Sequence, residues 1–145
     1  MKSFEDIYKE RADYVYRLSH LLEERAESAF ILNQEAWRTV NRQLPQLQAG
    51  RSEELWVCEK LLDTHRSLQR RLRRAGLQDT GRPESWLRRA VSQLPLEYRW
   101  PLILRDAVGY DYGTIREILS LPVGTVRARL ARARKSLESA RQEFL

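Results

Sequence analysis

Arginine recurs near the C-terminal end of the chain at a spacing that suits contact with a polyanion. Among the arginines, apolar side chains recur at steps of four, three and four residues, which predicts one buried helix face; they are Val126, Leu130, Ala133 and Leu137. At about 100° per residue, Ala128, Ala131 and Lys135 fall near the opposite side of this helix. Small side chains there let the backbone approach base edges, while the flanking arginines reach phosphates on both walls of a groove.

A short helix and a tight break precede this basic helix. The short helix has an apolar face formed by Ile115, Ile118 and Leu119, and the letters SLPVG mark the break, where Pro122 suits a helix entry. A short helix, a compact turn and a longer second helix make the helix-turn-helix plan, whose second helix enters the major groove of DNA. A solvated basic face is the alternative interpretation of the second helix alone, and the preceding helix and turn favour DNA.

The residues expected at this DNA interface lie in both helices of the motif. Gly124 and Thr125 are placed at the start of the second helix, where N–H groups and the helix dipole favour a phosphate oxygen. The full predicted set is Thr114, Gly124, Thr125, Arg127, Ala128, Arg129, Ala131, Arg132, Arg134 and Lys135.

The charge of the chain is concentrated at the same end. Of the net charge of +6, residues 85–145 supply +5, from eleven basic and six acidic side chains, whereas residues 1–50 carry −1. This asymmetry predicts a polyanionic partner for the C-terminal end. No apolar run of about 18 residues is present, and the polar start lacks the apolar core of a signal peptide, so we expect a cytoplasmic protein without membrane insertion.

Residue patterns for catalysis or metal binding are missing from the sequence. His20 and His65 have no second ligand at a metal-binding spacing, and the single Cys58 excludes an internal disulfide and a cysteine zinc site. There is no glycine-rich phosphate loop, nucleophile elbow or paired-carboxylate motif. We therefore expect no enzyme activity, no cofactor and no metal, with Glu23 and Glu24 at a solvated helix end and Cys58 in the core.

Helical periodicity runs through the first 75 residues in three segments. They are traced by Phe4, Ile7, Tyr8, Tyr14, Val15, Leu18 and Leu22, then by Ala26, Ala29, Phe30, Ala36, Trp37, Val40 and Leu44, then by Leu55, Cys58, Leu61, Leu62, Leu68 and Leu72. Pro45 and Gly50 mark a loop before the third segment, and Ser52 suits its start. The sequence therefore predicts a three-helix unit for the first 75 residues.

The remaining sequence predicts a second small helical domain. Residues 76–84 combine glycine, proline and mixed charge, which is typical of a short linker. Beyond it, a short helix stops at Pro95, and a further helix runs from about 96 to 108, with Pro101 in its first turn and Gly109 at its end. The predicted fold is all-α, with domains over 1–75 and 85–145 joined by this linker.

The stretch from Leu94 to Leu137 resembles region 4 of bacterial sigma factors of the extracytoplasmic-function (ECF) type. The resemblance lies in an ordered series: Leu-Pro, Tyr-Arg, an apolar run ending near a glycine, an aromatic residue, then Pro-Val-Gly-Thr-Val and an arginine-rich helix. It implies that Arg127, Ala128, Ala131 and Arg132 face the minus-35 promoter element, and that Thr125, Arg129, Arg134 and Lys135 brace the phosphates. Ser120 departs from the family by replacing a frequent glycine, which predicts a slightly strained turn.

The N-terminal half is similar to region 2 of the same family, which supplies the contacts to polymerase and the minus-10 element. In the stretch ILNQEAW, the family's core-binding positions are matched by Leu32, Gln34, Glu35 and Trp37, while Ile31 replaces an aspartate. The candidates for single-strand contacts are Arg51, Arg66, Arg70, Arg71, Arg73 and Arg74. Trp56 is predicted to be a core residue and not a platform for base stacking.

The sequence therefore predicts an alternative sigma factor that binds core RNA polymerase and directs promoter-specific initiation. The implied partners are core RNA polymerase, double-stranded promoter DNA and an anti-sigma factor. Two alternatives stay open. One is a sigma-like interaction protein that does not itself open promoters, favoured by Ile31 and the short linker; the other is a plain helix-turn-helix regulator.

Overall fold

A computed structural model describes residues 2–76 and 86–144, and all regular secondary structure in these two ranges is helical. The predicted all-α fold is therefore confirmed. The chain divides into two compact units, Met1–Thr80 and Gly81–Leu145. Apart from Gly76, the predicted linker 76–84 lies outside the described residues. In the part of the chain that is described, no helix combines the length and apolar character needed to span a membrane.

The N-terminal unit contains the three predicted helices, α1 (Phe4–Leu22), α2 (Ala26–Gln43) and α3 (Glu53–Arg74). Ser3 begins α1 with a capping box, because its hydroxyl accepts the Asp6 N–H while the Asp6 carboxylate accepts the Ser3 N–H. Ser52 begins α3 as predicted, since its hydroxyl accepts the Leu55 N–H at 3.3 Å. These caps satisfy backbone donors that a helix start leaves unpaired.

The core of this unit is drawn from all three helices. Its fully buried side chains include Ile7, Leu18, Leu32, Val40, Trp56 and Leu61. Trp56 and Cys58 are core residues as predicted. Phe30 is a correction, because its side chain is 59 % exposed on α2 instead of packing inward with the other apolar residues of that helix.

Glu23 is a second correction, since it is buried and not solvated. It follows the last residue of α1, is only 6 % exposed, and lies 3.0 Å through Oε1 from Nε2 of the fully buried His65. Gln69 also donates a hydrogen bond to the same oxygen. A carboxylate can be buried there because side chains of α3 provide partners that the local sequence around Glu23 does not contain.

The C-terminal unit consists of α4 (Trp86–Gln93), α5 (Leu96–Leu102), a π-helical segment (Ile103–Val108), α6 (Tyr112–Leu119) and α7 (Val123–Phe144). One core cluster consists of Leu94, Leu102, Leu130 and Ala133. Packed against its edge are the partly buried side chains of Val91, Tyr98, Tyr112 and Leu137. The apolar stripe predicted on the basic helix is thus the face that α7 turns to its own unit.

The helix predicted from 96 to 108 is interrupted, which corrects its description as one continuous helix. Pro101 is the sixth residue of α5 and not part of its first turn, and the π-helical segment begins two residues later. Proline has no N–H to continue the α-helical ladder, and a wider turn re-forms the hydrogen bonding beyond it. Gly109 ends the segment with a left-handed φ of 93°, and its N–H donates to the Leu104 carbonyl at 3.2 Å.

Candidate nucleic-acid interface

The helix-turn-helix is assembled by local caps at each end of α6. The Asp111 carboxylate accepts the Thr114 backbone N–H at 2.7 Å, and this hydrogen bond holds the pKa of Asp111 below its usual value. At the other end, Ser120 adopts the left-handed conformation, with φ 54° and ψ 46°. The Leu121 N–H then closes onto the Arg116 carbonyl at 3.2 Å. Ser120, Leu121 and Pro122 thus form the turn between the two helices, and α7 begins at Val123.

Apolar contacts fix the two helices of the motif against each other. Ile115 and Ile118 of α6 and Val126 of α7 are all buried. With Val126 and Leu130 facing inward, the opposite face of α7 is directed to solvent. The buried stripe therefore determines which side chains α7 offers to a partner.

The structure brings the ten predicted DNA-contacting residues onto this motif. Thr114 lies in α6, and the other nine lie between Gly124 and Lys135 in α7. Those with exposed side chains or backbone are Gly124, Arg127, Ala128, Ala131, Arg132, Arg134 and Lys135, whereas Thr114, Thr125 and Arg129 are half-buried. Because Ala128 and Ala131 have short side chains, the backbone at the centre of the exposed face of α7 can come close to the base edges on the floor of a groove.

Three of the arginines are held by neighbours within the unit. The Arg134 guanidinium makes two hydrogen bonds to Asp106, at 2.6 and 3.1 Å, which raise the pKa of Arg134 further. Arg127 lies over the ring of Tyr112, with 5.1 Å between the guanidinium carbon and the ring centroid. Arg132 lies over the ring of Tyr98 at 5.2 Å. These cations are therefore oriented before any partner binds.

Sequence reasoning missed the residues that orient the arginines. Asp106 is 28 positions from Arg134, and Tyr98 is 34 positions from Arg132, so no helical periodicity connects the partners. Only Tyr112 carried a signal, because it is an aromatic residue at the start of the first helix of the motif.

The predicted polymerase-binding residues divide into two groups on α2. Gln34 is exposed, and Glu35 is half-buried in an ion pair with Arg71 of α3. Leu32 and Trp37 are buried in the core, so they position the helix from beneath. The exposed face contains two apolar side chains that sequence reasoning did not assign to it, at one helical turn from Gln34; they are Phe30, 59 % exposed, and Ile31, 46 % exposed. We call Phe30, Ile31 and Gln34 the α2 patch.

The candidate single-strand contacts lie mainly on the C-terminal half of α3. A shallow surface depression there is lined by Asp63, Arg66, Ser67, Arg70, Arg71 and Arg74. Arg73 is exposed in the same helical turn as Arg74, whereas Arg51 lies before α3 and is paired with Glu59. All the candidate arginines except Arg51 thus lie in the C-terminal half of α3.

The architecture of the C-terminal unit, with two helices joined by a tight turn and basic residues on the outer face of the second, is that of a helix-turn-helix domain. Residues 84–137 match the family Sigma-70, region 4. The matched residues include α4, α5, α6 and most of α7.

Relatives extend the likeness to the rest of the chain. The ECF RNA polymerase sigma factor SigE of Mycolicibacterium smegmatis is 28 % identical over 94 % of this chain. The RNA polymerase sigma-H factor of Pseudomonas aeruginosa is 39 % identical over 43 % of it. The chain spans 61 % of the length of SigE, and its match spans 32 % of sigma-H.

Solved structures show the same fold. The sigma factor RpoE from Bartonella quintana, determined with the anti-sigma factor NepR, superposes with a TM-score of 0.75 at 20 % identity, covering 95 % of this chain and 98 % of RpoE. CnrH, determined with the cytosolic domain of CnrY, gives 0.73 at 18 % identity, covering 97 % of this chain and 88 % of CnrH. The chain thus has the fold of RpoE and CnrH, and the predicted resemblance to ECF sigma factors is confirmed by the match to SigE over 94 % of this chain.

Proposed function

We propose that the chain is an alternative sigma factor, which binds core RNA polymerase and directs it to a specific class of promoters. The observation that carries the proposal is the exposed basic face of α7 inside a unit that matches the family Sigma-70, region 4. Catalysis belongs to the polymerase, and this chain contributes binding free energy and promoter choice.

In this proposal, the C-terminal unit reads the minus-35 element through α7. Arg127 and Arg132 flank the two exposed alanines on opposite sides, where a guanidinium can donate two hydrogen bonds to the O6 and N7 atoms of guanine. The phosphates are braced by Thr114, Gly124, Thr125, Arg129, Arg134 and Lys135. Base readout by hydrogen bonds rests mainly on the two flanking arginines, because Ala128 and Ala131 have no donors or acceptors in their side chains.

The N-terminal unit is proposed to bind core polymerase and to contact the minus-10 element. Gln34 and Glu35 remain the polar contacts, and the exposed Phe30 and Ile31 add apolar area beside them. Leu32 and Trp37 act from the core by fixing the orientation of α2. Aromatic side chains are enriched at the centres of protein interfaces, which are more apolar than the surrounding rim.

The proposed cellular compartment follows from the proposed partner, RNA polymerase. Because a sigma factor works on RNA polymerase and chromosomal DNA, we propose that the chain acts in the cytoplasm. RpoE has been determined with the anti-sigma factor NepR, and an anti-sigma factor is proposed as the regulatory partner here as well.

Run-off transcription with purified core polymerase tests the proposal, using a template with the upstream region of the chain's own gene. We expect a defined transcript that depends on the chain, and a loss of about 10-fold or more in Arg132→Ala, since a bidentate arginine–guanine contact contributes about 1–3 kcal/mol. Arg141→Ala is the matched control, because Arg141 is an exposed arginine of α7 beyond the proposed interface.

A second candidate function is a sigma-like interaction protein that binds polymerase without opening promoters. The observation that favours it is Ile31, whose exposed apolar side chain occupies a position where the family usually has an aspartate. Co-elution with core polymerase without a transcript would support this candidate. Duplex binding without co-elution would indicate a helix-turn-helix regulator instead, and neither result is compatible with the sigma-factor proposal.

A further inference from the structure

Tyr112 occupies the junction between the core of the C-terminal unit and its basic surface. It is the first residue of α6, and its partly buried side chain packs against the core cluster that includes Leu102 and Leu130. The Arg105 guanidinium of the π-helical segment lies over the ring at 4.9 Å from the centroid, and the Arg127 guanidinium of α7 lies over it at 5.1 Å. One ring therefore contacts two cations that come from different helices.

A third cation belongs to the same group. Arg134 makes two hydrogen bonds to Asp106, and the interaction with Asp106 and, to a lesser degree, with Tyr112 raises the pKa of Arg134. Three guanidinium groups of like charge repel one another when they share a surface. The negative face of the aromatic ring and the Asp106 carboxylate are the groups that compensate this repulsion in the structure.

The contact between Arg127 and the Tyr112 ring affects how Arg127 can read a base. A free arginine side chain samples many rotamers, and fixing it against a base edge costs conformational entropy. An arginine whose guanidinium packs on a ring held by the core has fewer rotamers available before DNA binds, so less entropy is lost on binding. Arg127 is in this situation, since the ring of Tyr112 is held by the core cluster.

Resting on the proposed function, we propose that Tyr112 is a positioning residue that determines specificity for the base read by Arg127. The ring orients the guanidinium towards the groove, and removal of the ring leaves the charge of Arg127 intact but unoriented. Affinity for any duplex through phosphate attraction then persists, while discrimination at one base pair weakens.

Tyr98 provides the matched control for this inference. Its ring also packs against the core cluster and carries Arg132 at 5.2 Å, on the other flank of the exposed alanines. Replacement of Tyr98 is therefore expected to affect the base pair read by Arg132 and to leave the base pair read by Arg127 unchanged.

The test uses the full-length chain and a fluorescent duplex that it selects from a random pool. Tyr112→Leu is expected to lower affinity for the selected duplex by about 5- to 10-fold and for a scrambled duplex by less than about 2-fold, and Tyr112→Phe stays within about 2-fold for both. In the Arg127→Ala background, Tyr112→Leu is expected to have no further effect, because the two residues act as one unit.

The possible outcomes distinguish a failure of the proposed function from a failure of the role assigned to Tyr112. If the unmodified chain selects no duplex, the proposed function fails. If the chain selects a duplex but Tyr112→Leu binds it normally, or if the losses in the double variant multiply, only the role of Tyr112 is overturned. Circular dichroism checks the helix content of each variant, and Tyr112→Met replaces the leucine variant if that variant loses helix, because methionine fills the same apolar space without a ring.

Discussion

Arg134 and Asp106 form a two-point ion pair on the outside of the C-terminal unit. The Nη2 atom of Arg134 lies 2.6 Å from Oδ1 of Asp106, and Nε lies 3.1 Å from Oδ2. Both side chains are nearly half exposed, at 49 % and 41 %, so water and salt screen the pair and its contribution to stability is about 1 kcal/mol at most. Arg134 is one of the residues predicted to contact DNA phosphates, and in this structure its guanidinium is already paired with the Asp106 carboxylate.

Asp106→Asn is therefore expected to strengthen binding to duplexes of any sequence. The substitution frees the Arg134 charge for a phosphate, so the slope of log K against log salt concentration steepens by about one unit. At low salt, affinity is expected to rise by about 2- to 5-fold, to a similar degree for selected and scrambled duplexes. Fluorescence anisotropy titrations across a series of KCl concentrations measure both quantities.

Arg134→Ala provides the control for this prediction. In that background, Asp106→Asn should leave the salt slope unchanged, because no guanidinium remains to be released. A slope that steepens equally in both backgrounds would mean that Asp106 acts as a general surface charge and not through Arg134.

The helix-turn-helix was predictable because its signals are local. The apolar spacing of Ile115, Val126 and Leu130, together with the turn residues between them, specifies two helices and their facing sides without knowledge of the rest of the chain. The same spacing places the exposed alanines and arginines correctly around α7. Residues within one or two helical turns of each other therefore account for most of the candidate interface.

The parts that the sequence did not predict depend on contacts between distant positions. Glu23 is buried where His65 and Gln69 of α3, 42 and 46 positions away, contact its side chain. Phe30 is apolar and lies about two helical turns before the buried Trp37, yet its side chain is 59 % exposed. Periodicity predicts which helix face is apolar, but the width of the buried stripe depends on how neighbouring helices cross it.

Ser120→Gly is expected to stabilise the C-terminal unit. Ser120 is the only residue other than glycine with positive φ among those the structure describes, and its Cβ makes the left-handed conformation unfavourable. Glycine removes this strain at the end of α6, for a gain of about 0.5–1 kcal/mol. Gly109→Ala, at φ 93°, should have the opposite sign and a similar size. Urea unfolding of the full chain compares the three proteins, and a destabilised Ser120→Gly variant would contradict the role assigned to this turn.

Cys58 is expected to make the stability of the N-terminal unit decline at alkaline pH. Burial raises the pKa of the Cys58 thiol from 9.0 to about 12, against the opposing effect of a hydrogen bond with Tyr14. Since the folded pKa lies above the unfolded one, the contribution is complete below about pH 9 and is lost as pH rises towards 12. The decline approaches about 1.4 kcal/mol per pH unit.

Cys58→Ala isolates this effect from the other groups that titrate in the same range. The variant loses some packing at every pH, but its stability lacks the thiol-dependent slope. The difference in unfolding free energy between the two proteins should therefore narrow between pH 8 and pH 10, as measured by urea titration. Parallel curves over this range would show that Cys58 ionises as readily in the folded chain as in the unfolded one.

The buried pair of Glu23 and His65 is expected to be a weak point of the N-terminal unit when only one partner is changed. Glu23→Leu removes an acceptor of hydrogen bonds from both His65 and Gln69, and the loss of such a buried acceptor costs about 2–3 kcal/mol. Glu23→Gln keeps an acceptor oxygen and should cost about 1 kcal/mol. Glu27→Leu, at an exposed position of α2, is the matched control and should change stability by about 0.5 kcal/mol or less. Urea unfolding at neutral pH ranks the three variants, and equal losses for Glu23→Leu and Glu27→Leu would show that the buried carboxylate does not hold α3 against the end of α1.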